Sequence, residues 1–361
     1  MPLPTAARRR MDKAQIEREI HRLAPWYYDL DVCGVRTSIA PACDDYGHRP
    51  LDFPTIETGY WRGKSVLDVG CNEGAWSFGA RAAGARSVDA FDCRQDNIDK
   101  ARFVAAARGL DGVTFHVESA DSWIERHASE RFDKVLLCGI LYHLTEPWQT
   151  IAQYCAIADE SIFVSCVLRG LAEPGYTRYR ELDNVAASDG SLDSLMPNNK
   201  DTLLAEFAKH GFLPTAIHET GEGRFGGGCY LLLERTPAKA WKLEPRVGDG
   251  ADFDLFLTPL SGSDPQRIDV QATLYNRSDE PRTASASLSA VDARGRVVHA
   301  LGPRRVDFDA RVPRGDSGWS RSQGMRVSFD APAALPLTIE LRLEDPSSGQ
   351  VLAEARATLQ A

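Results

Sequence analysis

The chain lacks the long apolar runs that mark membrane-spanning and exported proteins. No run approaches the ~20 apolar residues that a helix needs to cross a bilayer, and the opening residues, MPLPTAARRR, contain no apolar signal core. We therefore expect a cytoplasmic protein with no membrane association.

Cysteines at metal-binding spacing are also missing. The eight cysteines include no Cys-x-x-Cys pair and have no histidines at zinc spacing beside them. Several fall in predicted strands, where cysteine acts as a small apolar residue. We expect reduced, mostly buried thiols and no metal site.

The chain has no tract rich in lysine and arginine, and its formal net charge is −9. This charge disfavours binding to nucleic acid without regard to sequence, although folding could still gather a local basic patch. The candidates for a basic patch are Arg81, Arg86, Arg94, Lys100 and Arg102.

With 361 residues, 43% of them hydrophobic and 26% charged, the chain has an ordinary globular composition and is long enough for two domains.

A glycine turn follows a buried strand near residue 70. Val66, Leu67 and Val69 form an apolar run typical of a parallel strand covered on both faces. Gly70 and Gly74 then allow the backbone to bend sharply and to approach a ligand closely. This is the pattern of the first strand, turn and helix of a doubly wound nucleotide-binding fold.

The acidity of this turn indicates which cofactor it binds. The turn lacks the pattern Gly-x-Gly-x-x-Gly and carries Glu73 between its two glycines, where a carboxylate would repel the pyrophosphate of a dinucleotide. S-adenosylmethionine has no phosphate and carries a cationic sulfonium and an ammonium, so Asp68 and Glu73 favour it electrostatically. The alternative is that both acids are solvated loop residues.

An acid at the end of the second strand is the candidate for binding ribose. Asp92 lies 22 residues after Gly70 and ends a short strand, where a doubly wound fold places the group that accepts hydrogen bonds from ribose hydroxyls. Asp89 is the weaker alternative because apolar residues, rather than a turn, follow it.

From residue 61 onward, short apolar strands alternate with helical segments, which predicts an α/β fold with a mostly parallel sheet and helices on both faces. A short glycine-rich link joins the last two strands, so we expect an antiparallel hairpin at one edge. The seven predicted strands are residues 65–69, 87–92, 113–117, 133–138, 161–167, 213–219 and 228–234. The predicted helices are residues 11–23, 74–83, 95–109, 147–158 and 199–210.

Four segments follow one another in a recognisable order: GKSVLDVGCNEG at 63–74, NIDKARF at 97–103, GILYHLTEP at 139–147, and MPNN at 196–199 with Gly211-Phe212. In this order they resemble the class I S-adenosylmethionine-dependent methyltransferases, and within them the group often labelled tRNA wobble-uridine methyltransferase-like. The resemblance extends over roughly residues 15–235 and implies a seven-stranded Rossmann-like methyltransferase sheet. It identifies the cofactor better than the acceptor, because relatives with these motifs also act on sugars and small metabolites.

The resemblance implies that the methionine part of S-adenosylmethionine lies beside the glycine turn and that Asp92 holds the ribose. Adenine is expected near Ala120 and Asp121, with Asp121 taking the exocyclic amine; the alternative for Asp121 is a helix N-cap for residues 122–126. The full predicted cofactor set is Asp68, Gly70, Cys71, Asn72, Gly74, Asp92, Cys93, Ala120, Asp121 and Cys138.

The acceptor is expected beside the segment Gly139–His143, which follows the fourth strand at the carboxyl edge of the sheet. His143 is the candidate general base because imidazole titrates close to working pH, and Tyr142 is the candidate for orienting the acceptor. The alternative is that His143 is a structural residue, hydrogen-bonded beneath the loop.

Two further groups of side chains could contact the acceptor. Trp26 and Tyr27, in an irregular segment after the first helix, could line a pocket, although simple packing explains them equally well. A polar insertion after the fifth strand carries Arg169, Tyr176 and Arg178, together with Tyr179 and Arg180; the alternative here is a solvated loop.

Beyond residue 250 the sequence changes to alternating strands, and it predicts an antiparallel β-sandwich of about 110 residues, of immunoglobulin-like or jelly-roll topology. The wobble-uridine resemblance does not extend here. We expect this domain to mediate packing or homo-oligomerisation, although Trp319 and Arg321 could touch a sugar. Its predicted strands are residues 252–259, 268–275, 284–291, 295–301, 304–309, 325–330, 337–344 and 351–359.

The sequence thus predicts an N-terminal helical and aromatic cap over 1–60, a methyltransferase domain over 61–236, a linker over 237–250 and a β-sandwich over 251–361. The expected activity is methyl transfer from S-adenosylmethionine to a hydroxyl, or less readily an amine, of a small metabolite or glycan. A tRNA wobble-uridine methyltransferase and a cofactor-binding interaction module without catalysis are the alternatives.

Overall fold

The computed structural model describes residues 11–43, 59–180, 193–221, 227–237, 241–247, 252–260, 267–312, 319–330 and 335–360. The chain divides into two compact units: the described residues up to Ala128 and those from Ser129 onward. This division falls within the predicted methyltransferase domain. Parts of the predicted cap and linker, residues 1–10, 44–58, 238–240 and 248–250, lie outside the described residues.

The first unit begins with an amphipathic helix and continues as an alternating α/β structure. Asp12 and Gln15 form a capping box at the start of the first helix, which buries Ile16 and Ile20. Its helices are α1 Lys13–Arg22, α2 Ala75–Ala82, α3 Gln95–Arg108 and α4 Ala120–His127, with a short 3-10 helix at Thr37–Ile39. Its strands are β1 Asp31–Val32, β2 Val35–Arg36, β3 Ser65–Val69, β4 Ser87–Asp92 and β5 Val113–Val117.

Strand β3 pairs in parallel with β4, and β4 pairs in parallel with β5. Val66, Leu67 and Val69 are fully buried, as expected for a parallel strand covered on both faces. The carboxyl ends of β3 and β4 therefore present the glycine turn and Asp92 at the same edge.

The second unit contains the rest of the α/β sheet and the sandwich. Its helices are α5 Pro147–Ile157 and α6 Lys200–Lys209, with a short 3-10 helix at Leu141–His143. The α/β strands and an inserted pair are β6 Phe132–Cys138, β7 Ala158–Val167, β8 Tyr176–Arg180, β9 Asp193–Pro197, β10 Phe212–Thr220 and β11 Gly228–Arg235. The remaining strands are β12 Trp241–Val247, β13 Phe253–Leu260, β14 Arg267–Asn276, β15 Arg282–Asp292, β16 Val297–Phe308, β17 Trp319–Arg321, β18 Gln323–Asp330, β19 Leu337–Glu344 and β20 Val351–Leu359.

Within this unit the α/β strands run in the order β6-β7-β11-β10-β17. Strands β6 and β7 are parallel, and β10 and β11 form the predicted antiparallel hairpin. All seven predicted strands are present, and the fold class is confirmed. Strand β17, which was not predicted, pairs antiparallel with β10 and extends this edge of the sheet.

The sandwich packs a five-stranded sheet, β12-β20-β19-β15-β16, with a three-stranded sheet, β13-β14-β18. Strand β19 illustrates how the strands contribute to the core. Its residues alternate between buried and half-buried, so that Leu337, Ile339, Leu341 and Leu343 all lie in the core. Two details of the prediction were wrong. The strands predicted at 295–301 and 304–309 form one strand, β16, and the predicted linker contains β12, which pairs with β20.

The polar insertion after β7 is not a solvated loop. Strand β8 pairs with β9 in an antiparallel arrangement from Tyr176↔Pro197 to Arg180↔Asp193. Residues 181–192, between these strands, lie outside the described residues.

Among the described residues, no helix is long and apolar enough to cross a membrane.

Candidate functional site

The glycine turn between β3 and α2 has alternating left-handed residues. Gly70, Asn72 and Gly74 have φ values of 68°, 52° and 82°. A Cβ atom at Gly74 would lie 3.0 Å from the ring of Phe115, so a side chain here would be crowded as well as strained by the backbone conformation. Asparagine is among the few other residues that adopt the left-handed region readily, which explains Asn72.

Asp92, at the end of β4, is joined directly to this turn. Its side chain is buried and accepts the backbone N–H of Asn72 at 3.0 Å. The backbone N–H and Nε of Arg94 also donate to it, each at 2.9 Å. Burial alone lowers the pKa of Arg94, but the ion pair with Asp92 outweighs burial and raises it. Asp89 is half-buried 3.8 Å from His116, away from the turn, which favours Asp92 over Asp89.

Asp68, the acid immediately before the turn, has an unsatisfied oxygen. Its side chain is fully buried, and its Oδ2 accepts a hydrogen bond of 2.6 Å from the hydroxyl of Ser77. Its Oδ1 accepts no hydrogen bond from any described residue. Burial raises the pKa of Asp68 to about 7, while the hydrogen bond from Ser77 acts in the opposite direction. A ligand N–H or ammonium reaching this oxygen would relieve the cost of its burial.

Glu73 has a different environment from the one that the sequence suggested. It is 1% exposed, and its carboxylate accepts the backbone N–H groups of Tyr27 at 2.8 Å and Tyr28 at 2.9 Å. The ammonium of Lys100 lies 3.1 Å away. Glu73 is therefore not a solvated loop residue, and its charge is already paired with Lys100. Asp68, with its unsatisfied oxygen, is the acid on which the preference for a cationic cofactor mainly depends.

The predicted adenine segment begins helix α4. Ala120 is buried at its first position, and Asp121 is exposed in its first turn. The N-cap is Ser119, whose hydroxyl accepts the N–H of Ser122 at 3.2 Å. The N-cap alternative for Asp121 is therefore wrong, whereas its contact with adenine stays a prediction.

Three cysteines belong to the predicted cofactor set. Cys71, in the turn, is buried, and burial raises the pKa of its thiol well above the ordinary value. Cys93 is half-buried after β4, and Cys138 is buried at the end of β6. The two buried thiols behave as small apolar residues of the core, and the contact of these cysteines with the cofactor stays a prediction.

The candidate acceptor residues lie in the second unit, directly after β6. Gly139 has φ 80° and donates its N–H to Ser165 O at 2.8 Å, which turns the chain into the 3-10 helix at Leu141–His143. The rings of Tyr142 and His143 are half-buried and lie 4.2 Å apart between centroids. The structure thus brings the two predicted catalytic side chains into contact.

The β8–β9 pair is attached to this segment. Leu195 of β9 donates its backbone N–H to Leu144 O at 2.8 Å, one residue beyond His143. Arg169, which leads towards the pair, donates its backbone N–H to Pro197 O at 2.9 Å and has an exposed side chain. The insertion is therefore an ordered neighbour of the candidate catalytic residues.

The two predicted acceptor residues on β8 differ in exposure. The ring of Tyr176 lies 5.5 Å from that of Trp148, and its hydroxyl is buried without a hydrogen-bond partner among the described residues. Burial raises the pKa of Tyr176 above its ordinary range. Arg178 is exposed and lies 4.0 Å from Asp193. Of the two, only Arg178 presents an accessible charge.

The N-terminal aromatic residues have distinct environments. Trp26 is fully buried, and its indole N–H donates to Ile20 O at 2.8 Å, which favours packing over contact with an acceptor. Tyr27 is half-buried, and its ring contacts that of Tyr28 edge-on at 4.9 Å. The N-terminal segment reaches the glycine turn through the backbone of these two tyrosines.

Ser77, Arg94 and Lys100 each contact an acid of the site. The sequence suggested Arg94 and Lys100 only for a basic patch and gave no role to Ser77. A signal existed for Lys100, because it interrupts the apolar pattern Ile98, Ala101, Val104 on the buried face of α3. A lysine on such a face requires a buried acid. No comparable pattern in the sequence marks Ser77 or Arg94.

The parallel strands, the glycine turn that opens a helix and the acid that ends the next strand resemble those of the class I S-adenosylmethionine-dependent methyltransferases. Residues 62–210 match the family model described as a methyltransferase domain. The cofactor of this family is S-adenosylmethionine, and the buried, unsatisfied Asp68 beside the turn fits its cationic methionine part.

Two relatives illustrate the range of acceptors in this class. The chain is 32% identical over 137 residues to a tRNA U34 carboxymethyltransferase of Pseudomonas aeruginosa, covering 37% of this chain and 40% of the relative. It is 37% identical over 90 residues to a ubiquinone biosynthesis O-methyltransferase of Aromatoleum aromaticum, covering 25% of this chain and 37% of the relative. The chain thus matches well under half of the length of either relative.

Among solved structures, the chain is similar to the N-terminal domain of EvdMO1 with SAH bound. The identity is 23% and the TM-score 0.49, and the match covers 63% of this chain and 97% of that domain. Against the structure of EvdMO1 itself, the identity is 16% and the TM-score 0.41, with 89% of this chain and 98% of that chain covered.

Proposed function

We propose that the protein is an enzyme that transfers the methyl group of S-adenosylmethionine to a hydroxyl of a small metabolite or glycan. The observation that carries this proposal is the Tyr142–His143 pair, with centroids 4.2 Å apart, at the end of β6. A hydroxyl acceptor loses a proton as it is methylated, and an imidazole is the side chain best suited to take it. An amine acceptor would need such a base less.

When bound, S-adenosylmethionine supplies an electrophilic methyl group whose leaving group departs as a neutral thioether without being protonated. The chain therefore has to bind, align and exclude water. In this proposal, Asp92 accepts the ribose hydroxyls and Asp68 accepts the ammonium. His143 receives the acceptor proton while Tyr142 orients the acceptor oxygen.

The name of the Aromatoleum relative, an O-methyltransferase, supports a hydroxyl acceptor. The net charge of −9 supports a small molecule or glycan over RNA, because a protein that binds RNA through phosphate contacts needs a positively charged surface.

A tRNA acceptor is the second candidate, favoured by the longer match, of 137 residues, to the tRNA U34 carboxymethyltransferase. It predicts binding to tRNA that falls steeply as salt is raised. The absence of tRNA binding at low salt would exclude it.

One experiment separates these functions. The protein is incubated with S-adenosylmethionine carrying a labelled methyl group and an extract of the producing cell, and small molecules, glycans and RNA are then separated. We expect label in the small-molecule or glycan fraction. Label in RNA would favour the second candidate, and calorimetric binding of S-adenosylmethionine without any labelled product would favour a non-catalytic binding module.

A further inference from the structure

The segment that follows α1 lies along one face of α3. Three of the four contact positions on α3 are about one helical turn apart and share a face, and the fourth directly follows the third. The contacts are Lys100 Nζ to Pro25 O at 2.5 Å, the Phe103 ring to the Trp26 ring at 6.4 Å, Ala107 O to Cys33 Sγ at 3.3 Å, and Arg108 Nε to Asp31 O at 2.9 Å. Residues 25–33 of the N-terminal segment therefore pack on α3.

At one place this segment also contacts the cofactor turn itself. Glu73 lies between the left-handed residues Asn72 and Gly74, and each of its carboxylate oxygens accepts one backbone N–H, from Tyr27 and from Tyr28. A side chain of the turn thus replaces the backbone partner that those two amides would otherwise need. A change in the shape of the turn would move the acceptor of both bonds.

Lys100, on α3, contacts both the turn and the N-terminal segment. Its ammonium contacts Glu73 Oε1 and Pro25 O, and it lies 5.7 Å from the centre of the Trp26 ring. The side chains of Lys100 and Glu73 are only 6% and 1% exposed. A buried charge without a partner is very unfavourable, so each charge requires the other to be in place. The turn, α3 and the N-terminal segment therefore hold one another in position.

We propose that Glu73 is a positioning residue that couples the seating of residues 25–28 to the shape of the turn at Gly70–Gly74. Cofactor binding and ordering of the N-terminal segment then stabilise each other, because a ligand that favours one shape of the turn also favours the hydrogen bonds from Tyr27 and Tyr28. This inference rests on the proposed role of the turn in cofactor binding, and it adds a role for the segment that precedes the methyltransferase domain.

The coupling is tested by amide hydrogen exchange and by calorimetry with S-adenosylhomocysteine. In the unmodified protein, S-adenosylhomocysteine should slow exchange of the Tyr27 and Tyr28 amides. In the double variant Glu73→Gln/Lys100→Met, which removes both buried charges together, the two amides should exchange faster, and the affinity for S-adenosylhomocysteine should fall about tenfold or more. The matched control is Glu19→Gln/Arg22→Met, which removes the exposed ion pair of α1, 2.7 Å long, and should change neither quantity.

The outcomes are distinct. Wild-type affinity in a folded double variant would overturn the coupling while leaving the cofactor assignment intact. Unchanged exchange of the Tyr27 and Tyr28 amides when S-adenosylhomocysteine binds the unmodified protein would also overturn it, and this measurement needs no variant. Failure of the unmodified protein to bind S-adenosylhomocysteine would overturn the cofactor assignment itself, and the coupling with it.

Discussion

The backbone N–H of Asn72 donates a hydrogen bond of 3.0 Å to the carboxylate of Asp92. One residue belongs to the turn after β3 and the other to the end of β4, so this bond fixes the position of the acid relative to the turn. A second bond, from Cys71 N to Phe91 O at 2.8 Å, supports the same alignment. The proposed ribose and methionine subsites are therefore built as one structure.

Replacing Asp92 with asparagine should weaken binding of S-adenosylhomocysteine. The substitution keeps the shape of the side chain but removes the charge that accepts ribose hydroxyls, and the expected loss is about 1–3 kcal/mol. Calorimetric titration measures it. The control is Asp96→Asn, an exposed acid in the first turn of α3, which should bind normally. Equal affinities for both variants and the unmodified protein would remove Asp92 from the cofactor site.

Asp68 should make the stability of the protein without cofactor depend on pH. Because burial raises its folded pKa to about 7, above the ordinary 3.8, the folded state holds the proton more tightly than the unfolded state. The contribution of Asp68 is therefore fully present below about pH 4 and is lost as pH rises to about 7, by at most roughly 4 kcal/mol. Urea unfolding of the unmodified protein and of Asp68→Asn, compared between pH 5 and 8, measures the effect. A constant stability difference between the two across this range would contradict the raised pKa.

His143→Ala should reduce turnover about 100-fold or more if the imidazole takes the acceptor proton. Cofactor affinity should not change, because the substitution leaves the turn and Asp92 untouched. The control is His21→Ala, an exposed histidine in the last turn of α1. Steady-state rates with the acceptor found by the labelling experiment provide the comparison, and full activity of His143→Ala would assign this residue to packing.

Tyr275→Phe should destabilise the second unit. The buried hydroxyl of Tyr275 donates to the carboxylate of Glu219 on β10 and lies 2.9 Å from the hydroxyl of Ser320 on β17. Its loss leaves a buried carboxylate short of a donor, and the expected cost is about 1–3 kcal/mol in the free energy of unfolding. Thr283→Ala, which removes an exposed hydrogen bond of 2.7 Å to Asp307 in the same sandwich, should cost less than about 0.5 kcal/mol. Chemical denaturation of both variants measures whether the contact of Tyr275 with β10 and β17 stabilises the second unit.

Much of the fold was predictable because its signals are local. The apolar run Val66, Leu67, Val69 and the glycines at 70 and 74 identify strand, turn and helix within ten residues. The period-two alternation that predicted the sandwich is likewise a property of single strands, as β19 shows. Such patterns reflect which face of an element is buried, and the spacing of apolar residues within that element shows it.

What could not be predicted depends on pairing between distant parts of the chain. Strand β17 has three residues, too few for a pattern, and it forms only because β10, about 100 residues earlier, offers an unpaired edge. Strand β12 lies in a stretch whose composition indicated a linker, and it is a strand because β20 pairs with it. The polar insertion likewise contains a strand, β8, because β9 pairs with it.

The glycine turn shows this division most clearly. The residues of the turn by themselves determined its sharp bend and its place before a helix, because glycine adopts backbone conformations that other residues avoid. Only the tertiary structure decided what Glu73 does. A carboxylate interacts with whichever donors lie within a few ångströms, and its donors, Tyr27, Tyr28 and Lys100, come from segments 46, 45 and 27 residues away along the chain.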